Sequence, residues 1–486
     1  MSSSTPGVRT RKSVLRLTGQ NDDLFWYGRA VGALKQLALN DPTSWWYQAA
    51  VHGFPADPAG AGLQSAPLPS QQDQTTFWDQ CQHQTALFLP WHRGYLGCFE
   101  EIIAATVVSL GGPAGWALPY WNYSDATNAN APLLPAAFLN RDDGQGGVNP
   151  LWVDGRNVVE GALQLDQDAV NLNCLTDGVF EGSSQGGDPG FGGPSTGFHH
   201  QAMNNGVFGM LESVPHNVVH DEIGGWMSDP DTAAADPIFW LHHANIDRLW
   251  EVWRNRNPAF VNPTDPNWLT GQTFTLHGAQ GRVVNFQPAD MVSTANVLHG
   301  YNYDDISDPL GGAQIAPQPQ VAAVTAGPRP LPAIVGASGT AIPVGAQGNS
   351  ARIVVNQTAH QAALAALAPV HQPRAFLNIE NVTGTGRTGT YKVYLNTPGA
   401  AGQSPLFAGM LPTFGIAKAT RDSSHTGGSG GTTVLDVTSL LDQLRRERNW
   451  DGEHLDVSIV PTDAARLMRA APDTSLHIGR LSLYYH

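Results

Sequence analysis

Six histidines carry the spacing that metal chemistry needs. His216 and His220 stand four apart in Pro215-His216-Asn217-Val218-Val219-His220. His243 follows within Asp236-Pro237-Ile238-Phe239-Trp240-Leu241-His242-His243, which runs on through Asp247-Arg248-Leu249-Trp250. Residues four apart share a helix face, so two imidazoles there can reach one metal ion. Asp236 stands as N-cap and Pro237 where a helix tolerates a missing N–H, so a helix begins near Pro237. Phe239, His243, Ile246, Trp250 and Trp253 then share one face of it. A single histidine on such a face reads most simply as a core residue bonded to a backbone carbonyl. Three from two adjacent helices read as a ligand set.

A second triplet, His52, His83 and His92, comes from the first hundred residues. Residues 22–39 have the apolar spacing of an amphipathic helix, and Asp41-Pro42 opens another that carries Trp45, Ala49 and His52 inward before Gly53 ends it. His83 and His92 are nine apart, about 900° of helical rotation, so the chain must bend between them. Pro90 supplies that bend, and a helix over 91–109 carries His92. Glu100 and Glu101 read as solvated or capping charges. All-imidazole ligation suits copper, zinc or iron, and two facing triplets in a helix bundle make a dinuclear site. A dinuclear zinc hydrolase would normally add bridging carboxylates, and none is positioned for it. His199 and His200 read as surface or supporting residues.

The elements that must hold these residues fall into two units. A chain of 486 residues exceeds what one core usually serves. The dinuclear metal site belongs to residues 1–310, which are helical with a loop-rich stretch from 111 to 201, including a Gly run at 182–197 that reads as surface loop. Residues 311–350 turn to Ala, Gly, Pro, Val and Gln with a single charge, Arg329, as a cleavable extended linker does. Residues 351–486 alternate in the strand manner at 374–382, 390–396, 454–460 and 476–485, an antiparallel β-sandwich with one short helix near 439–446. A formal charge of -15 argues against nucleic acid and anionic membrane as partners. No apolar run spans a bilayer and no secretory h-region follows the N-terminal basic residues, so the expectation is a soluble protein, cytoplasmic or exported without its own signal. Three cysteines allow at most one disulfide.

The motifs resemble those of the type-3 copper proteins: tyrosinases, catechol oxidases and hemocyanins. The resemblance lies in His83-x8-His92 with Pro90-Trp91-His92-Arg93, in Leu118-Pro119-Tyr120-Trp121, in His216-Asn217-x-x-His220, and in the Asp236-to-Trp250 stretch, in the family's order over residues 20 to 305. It implies a four-helix-bundle domain with two copper ions, His52, His83 and His92 on one and His216, His220 and His243 on the other, and O2 and a small phenol as substrates. Of the doublet, the family pattern takes His243 as the ligand, one helical turn after Phe239, and leaves His242 as a supporting or surface residue; Phe239 would then stack near the substrate ring. Glu212 and Asn217 match the pair that holds a water for phenol deprotonation, against the plainer reading of Glu212 as a capping or arginine-paired acid. Cys81 stands at the spacing of a thioether to His83, or is a buried free thiol. Asn122 departs from the Asp that usually follows the Pro-Tyr-Trp motif. Asp221, directly after His220, places a negative charge near the site entrance and should favour neutral or cationic phenols over acidic ones.

The β domain is similar to the shielding domain of latent plant polyphenol oxidases and related bacterial enzymes, so the resemblance implies a latent tyrosinase. A catechol or o-aminophenol oxidase without monophenol activity is the nearer alternative, an oxygen carrier the more remote. Met410, Leu411 and Phe414 in Gly409-Met410-Leu411-Pro412-Thr413-Phe414 are candidates to enter the pocket, unless the hexapeptide is a plain core hairpin. Oligomeric state leaves no mark in the sequence.

Overall fold

The computed structural model describes residues 8–17, 19–144, 146–197, 206–311, 331–367, 373–385, 389–397, 404–421, 428–464 and 476–486. The helices of the first unit run where apolar spacing puts them. Asp22 accepts from the N–H groups of Leu24 and Phe25 and opens the Asp23–Leu34 helix, which turns Tyr27, Ala30, Val31 and Leu34 inward. Ser44 caps the Trp45–His52 helix, whose residues are almost all buried. A helix apolar on every side needs neighbours on every side. Phe88–Ser109 and Ile238–Arg256 are two of them, and Trp240 stacks on Phe99 with Trp45 edge-on to both. Asp236 opens the last helix by accepting from Ile238 N–H at 3.1 Å, and it also pairs with buried Arg156.

Two local expectations are corrected. No bend occurs at Pro90: the helix already starts at Phe88, and Pro90 lies in its first turn, where its missing N–H has no partner to lose. His83 arrives instead from a non-helical stretch in which Gln84 has φ of 60°. Glu100 is no solvated charge either. It is buried, pairs with Arg11 at 2.7 Å and accepts from Leu118 N–H at 2.8 Å. Arg11 belongs to the strand Arg9–Arg11, which pairs in parallel with Tyr301–Tyr303. Arg11 and Arg93 converge on Asp247, which also accepts from the hydroxyls of Tyr301 and Tyr303. One satisfied charge cluster thus ties both ends of the helical unit to its two long helices.

Among the described residues, nine strands form one antiparallel sheet in the second unit. The order is Leu406–Leu411, Tyr391–Asn396, His454–Pro461, Asn349–Val355, Ala333–Ala337, Leu476–Tyr485, Ala375–Gly384 and Gly431–Asp436, with Ile342–Val344 also on Leu476–Tyr485. The end strands return to face each other, Leu435 against Gly409, so the sheet is nearly a barrel. Leu455, Val457 and Ile459 alternate inward along one strand, and the Thr438–Arg448 helix closes the unit. The linker expected over 311–350 is overwritten at its end: 312–330 lie outside the described residues, but strand begins at Ala333. Ala- and Gly-rich segments become strands there because neighbouring strands supply the hydrogen bonds that their own propensity does not.

The two units are in close contact. Arg374 pairs with Asp177 and Asp188, Lys392 with Asp166 and Asp168, and Lys418 with Asp231. Phe208 N–H donates to Thr432 O at 3.1 Å and Thr432 N–H to Gly206 O at 3.0 Å, so a strand of the second unit grips a loop of the first. The Gly182–Gly197 stretch, expected at the surface, is largely buried: Phe191 stacks on Trp253 and Gly186 lies beneath Tyr484. Among the described residues no helix is long and apolar enough to cross a membrane.

Candidate metal centre

All six histidines meet at the middle of the helical unit, and none is more than 3% exposed. His52 ends its helix, His92 lies one turn into the Phe88–Ser109 helix, and His243 lies early in Ile238–Arg256. The helical segment from Glu212 to Asn217 is broken at Val214, whose backbone is extended, and resumes as Val218–Ile223. This places His216 before the second piece and His220 within it. The rings of His52, His83 and His92 are 5.4 to 5.7 Å apart. Those of His216, His220 and His243 are 4.6 to 5.6 Å apart. The triplets face each other, with His92 stacked on His243 at 4.6 Å and His83 at 5.7 Å from His216.

The hydrogen bonds assign the inward nitrogens. Nδ1 of His52 donates to Pro230 O at 2.9 Å, that of His92 to Phe88 O at 2.8 Å and that of His220 to Met227 O at 2.7 Å. Nδ1 of His216 donates to Asn217 Oδ1 at 2.8 Å. Each such bond fixes the tautomer and leaves an Nε2 lone pair. Nε2 of His52 and of His92 then meets no hydrogen-bond partner among the described residues. Nε2 of His216 and of His220 face Nε2 of His243 at 3.2 and 3.4 Å. Lone pairs crowded together in a buried pocket call for a cation between them. Burial holds every one of these imidazoles far below its usual pKa, His52 and His216 at about 3, so they stay neutral and able to ligate. The donor set fits a pair of metal ions of the kind imidazole binds.

Around the triplets, Phe239 lies edge-on to His52 at 5.0 Å and against His243 at 4.1 Å, so it braces two rings from opposite triplets. Cys81 Sγ lies within 4.8 Å of ring nitrogens of His52 and His83. His242, read as a surface or supporting residue, is buried and stacks on His216 at 5.3 Å. His199 and His200 lie outside the described residues. Glu212 is fully buried and accepts from Gln84 N–H at 3.0 Å and Gly209 N–H at 3.4 Å. Burial pushes its pKa up to about 8 against the pull of those two N–H groups. Asn217 Nδ2 has no hydrogen-bond partner among the described residues.

Asp221 departs from its expected place at an open entrance. It is covered by the second unit and accepts from Thr413 N–H at 2.6 Å and Phe414 N–H at 3.1 Å. Phe414 is the residue of the hexapeptide that reaches the pocket: its ring stacks on His220 at 4.1 Å and lies 5.8 Å from His216 and 5.9 Å from His83. Met410 and Leu411 end a strand. The carbonyls of Pro230 and Met227 that aim two ligands, and the N–H of Gln84, left no sequence signal, because every residue type carries a backbone carbonyl and all but proline an N–H.

Facing all-imidazole triplets inside a helix bundle define a candidate dinuclear metal centre of the class that imidazole alone ligates. The model of the common central domain of tyrosinase matches residues 42–164 and 176–256, and a domain of unknown function (DUF7868) matches 332–486. A tyrosinase of Hahella sp. (strain CCB-MM4) is 37% identical over 98% of this chain and 99% of its own length. A chloroplastic polyphenol oxidase of Vitis vinifera is 28% identical over 63% of this chain and 49% of its own length. Among solved structures, latent apple tyrosinase superposes with a TM-score of 0.59 at 21% identity over 100% of this chain and 99% of that one. A latent aurone synthase (polyphenol oxidase) gives a TM-score of 0.61 at 21% identity over 100% and 91%. The chain belongs to the tyrosinase family, the copper-dependent oxidases of phenols.

Proposed function

We propose that this protein is a latent dicopper tyrosinase, which uses O2 to hydroxylate monophenols to o-diphenols and to oxidise o-diphenols to o-quinones. The observation that carries the reading is the pair of facing triplets, in which the Nδ1–H groups of His52, His92, His216 and His220 are tied outward and their Nε2 atoms are left inward. His52, His83 and His92 would hold one copper and His216, His220 and His243 the other. Bound copper supplies the redox chemistry with O2.

The remaining work falls to the chain. The Pro230, Phe88 and Met227 carbonyls and Asn217 keep four imidazoles in one tautomer, and Phe239 keeps two rings from turning. A free phenol has a pKa of about 10, so its hydroxylation near neutral pH needs a base. Glu212, with its pKa raised, takes that proton through a water that it shares with Asn217 Nδ2. Phe414 fills the place of the substrate ring and makes the intact chain latent. The diphenol-only alternative draws on one observation: both Glu212 oxygens already accept from Gln84 N–H.

Oxygen uptake tests the reading, using a 4-alkylphenol and its catechol. The copper-loaded chain is compared intact, cleaved within 312–330, and as full-length Phe414→Gly. The expected result is two coppers per chain and uptake on both substrates, rising in the Phe414→Gly form. Uptake on the catechol alone leaves a diphenol oxidase, and none from the opened, copper-loaded chain overturns the reading.

A further inference from the structure

The loop between His220 and His243 aims one ligand of each triplet, since Met227 O accepts from His220 and Pro230 O from His52. Asp231 N–H donates to Asp229 Oδ1 at 3.0 Å and Thr232 Oγ1 to Trp226 O at 2.8 Å. Those bonds fix the shape of the loop but not its seat against His52. Met227 is tied to the preceding helix, its N–H donating to Gly224 O at 3.1 Å. The anchor near Pro230 comes from the second unit. Lys418, four residues after Phe414 on the Ile416–Thr420 helix, pairs with Asp231, and the two side chains are only 10% and 11% exposed. Arg421, 61% exposed, reaches Asp231 only at 3.6 Å. The Pro230–Asp231 peptide also lies hard against the residue after His52: a Cβ on Gly53 would stand 2.6 Å from Pro230 O and 2.8 Å from Asp231 Cα. One line of contacts thus runs from the Lys418 ammonium through Asp231 and the Pro230 carbonyl to Nδ1 of His52.

We propose that Lys418 is a positioning residue for the first metal: it holds His52 in place through Asp231 and Pro230, so the unit that covers the site also secures one of its two ions. Without Lys418, Asp231 is a carboxylate in a largely dry place and turns toward water, and the Pro230 carbonyl moves with it. His52 then loses the acceptor that fixes its tautomer and no longer holds a lone pair toward the ion. The other ligands keep their supports, His92 on Phe88 O, His216 on Asn217 and His220 on Met227 O. The loss therefore falls on one ion of the two. That the ion is copper rests on the dicopper reading, but the hold on His52 does not.

Chelator competition on the full-length, copper-loaded chain tests this. After reduction, the copper that passes to bicinchoninate is titrated by absorbance in the unaltered chain, Lys418→Met and Lys418→Arg. One of the two coppers is expected to be held about 10- to 100-fold more weakly in Lys418→Met, the usual result of losing a ligand's supporting hydrogen bond, while Lys418→Arg, which keeps the charge, stays near the unaltered chain. In a His52→Ala background, which keeps the second copper alone, Lys418→Met should change nothing. Equal affinities in the unaltered chain and Lys418→Met, weakening of both coppers alike, or an effect that persists in His52→Ala overturns the proposal. A chain that takes up no copper counts against the dicopper reading, and the Nδ1–H resonance of His52 in the metal-free chain, made with isotope-labelled histidine, then decides this one. That resonance should persist in the unaltered chain and exchange away with water in Lys418→Met, and its survival there overturns the proposal. If Lys418→Met does not fold by circular dichroism, Asp231→Asn carries the same comparisons.

Discussion

Glu212 and Asp247 are both buried acids, and their surroundings move them in opposite directions. Burial raises Glu212 to about 8, beyond what the Gln84 and Gly209 N–H groups offset. An unfolded glutamate ionises near about 4.3, so in the copper-free chain this group costs stability progressively as pH rises from there to the folded value. Glu212→Gln is therefore expected to raise the Tm of the copper-free chain at neutral pH by a few degrees. It should also cut monophenol oxidation about a hundredfold, the usual size of a lost general base. A Tm gain with unchanged monophenol rate would leave Glu212 a structural acid only. For Asp247, burial also pushes upward, but Arg93 and Arg11 outweigh it and the net pKa is lowered. Its contribution is present above the unfolded carboxylate value and is lost as pH falls through the folded one. Asp247→Asn should cost about 3–5 kcal/mol in urea unfolding at pH 7, because two buried guanidiniums lose their partner.

At the scale of elements, the strand Gly431–Asp436 reaches out of its own sheet. Through Thr432 it bonds Gly206 and Phe208, and Gly206 N–H in turn donates to the side chain of Gln84, whose N–H holds Glu212. The second unit thus braces Glu212 as well as seating Phe414 against His220. Thr432→Pro removes the N–H given to Gly206. In the Phe414→Gly background it should lower the ratio of monophenol to catechol turnover severalfold with copper content unchanged, and an unaltered ratio would show that Glu212 needs no support from the lid. The long helices are held differently, by the Phe99–Trp240 stack and the Asp247 cluster, which stay intact when the lid is perturbed.

For the whole molecule, the lid is held by side chains and strand pairing spread over its face. Buried Lys418–Asp231 and mostly buried Arg374 with Asp177 and Asp188 join the Asp221 contacts and the Thr432 bridge. Cleavage within 312–330 should therefore leave the two pieces co-eluting in size-exclusion chromatography, with activity rising fully only when mild denaturant separates them. Immediate dissociation of the cut chain would mean that the linker, not the interface, keeps the lid in place. Salt should affect chiefly the solvent-reached pairs, Lys392 with Asp166 and Asp168 and Arg421 with Asp231, each by at most about 1 kcal/mol.

Sequence alone determined the helices at Asp23–Leu34, Trp45–His52 and Ile238–Arg256, the six histidines and the β character of the second unit, because periodicity, caps and ligand types are local properties. It also narrowed the residue entering the pocket to three. Only the tertiary structure decided that Phe414 is that residue, that Asp221 is bound by the lid, that Glu100 is paired with Arg11, and that strand replaces linker from Ala333. Each of those outcomes depends on a partner far along the chain: a lid backbone 192 residues from Asp221, an arginine 89 residues from Glu100, and neighbouring strands that make sheet of Ala- and Gly-rich segments. A carboxylate reads the same in sequence whether water or a distant N–H meets it, and only packing determines which.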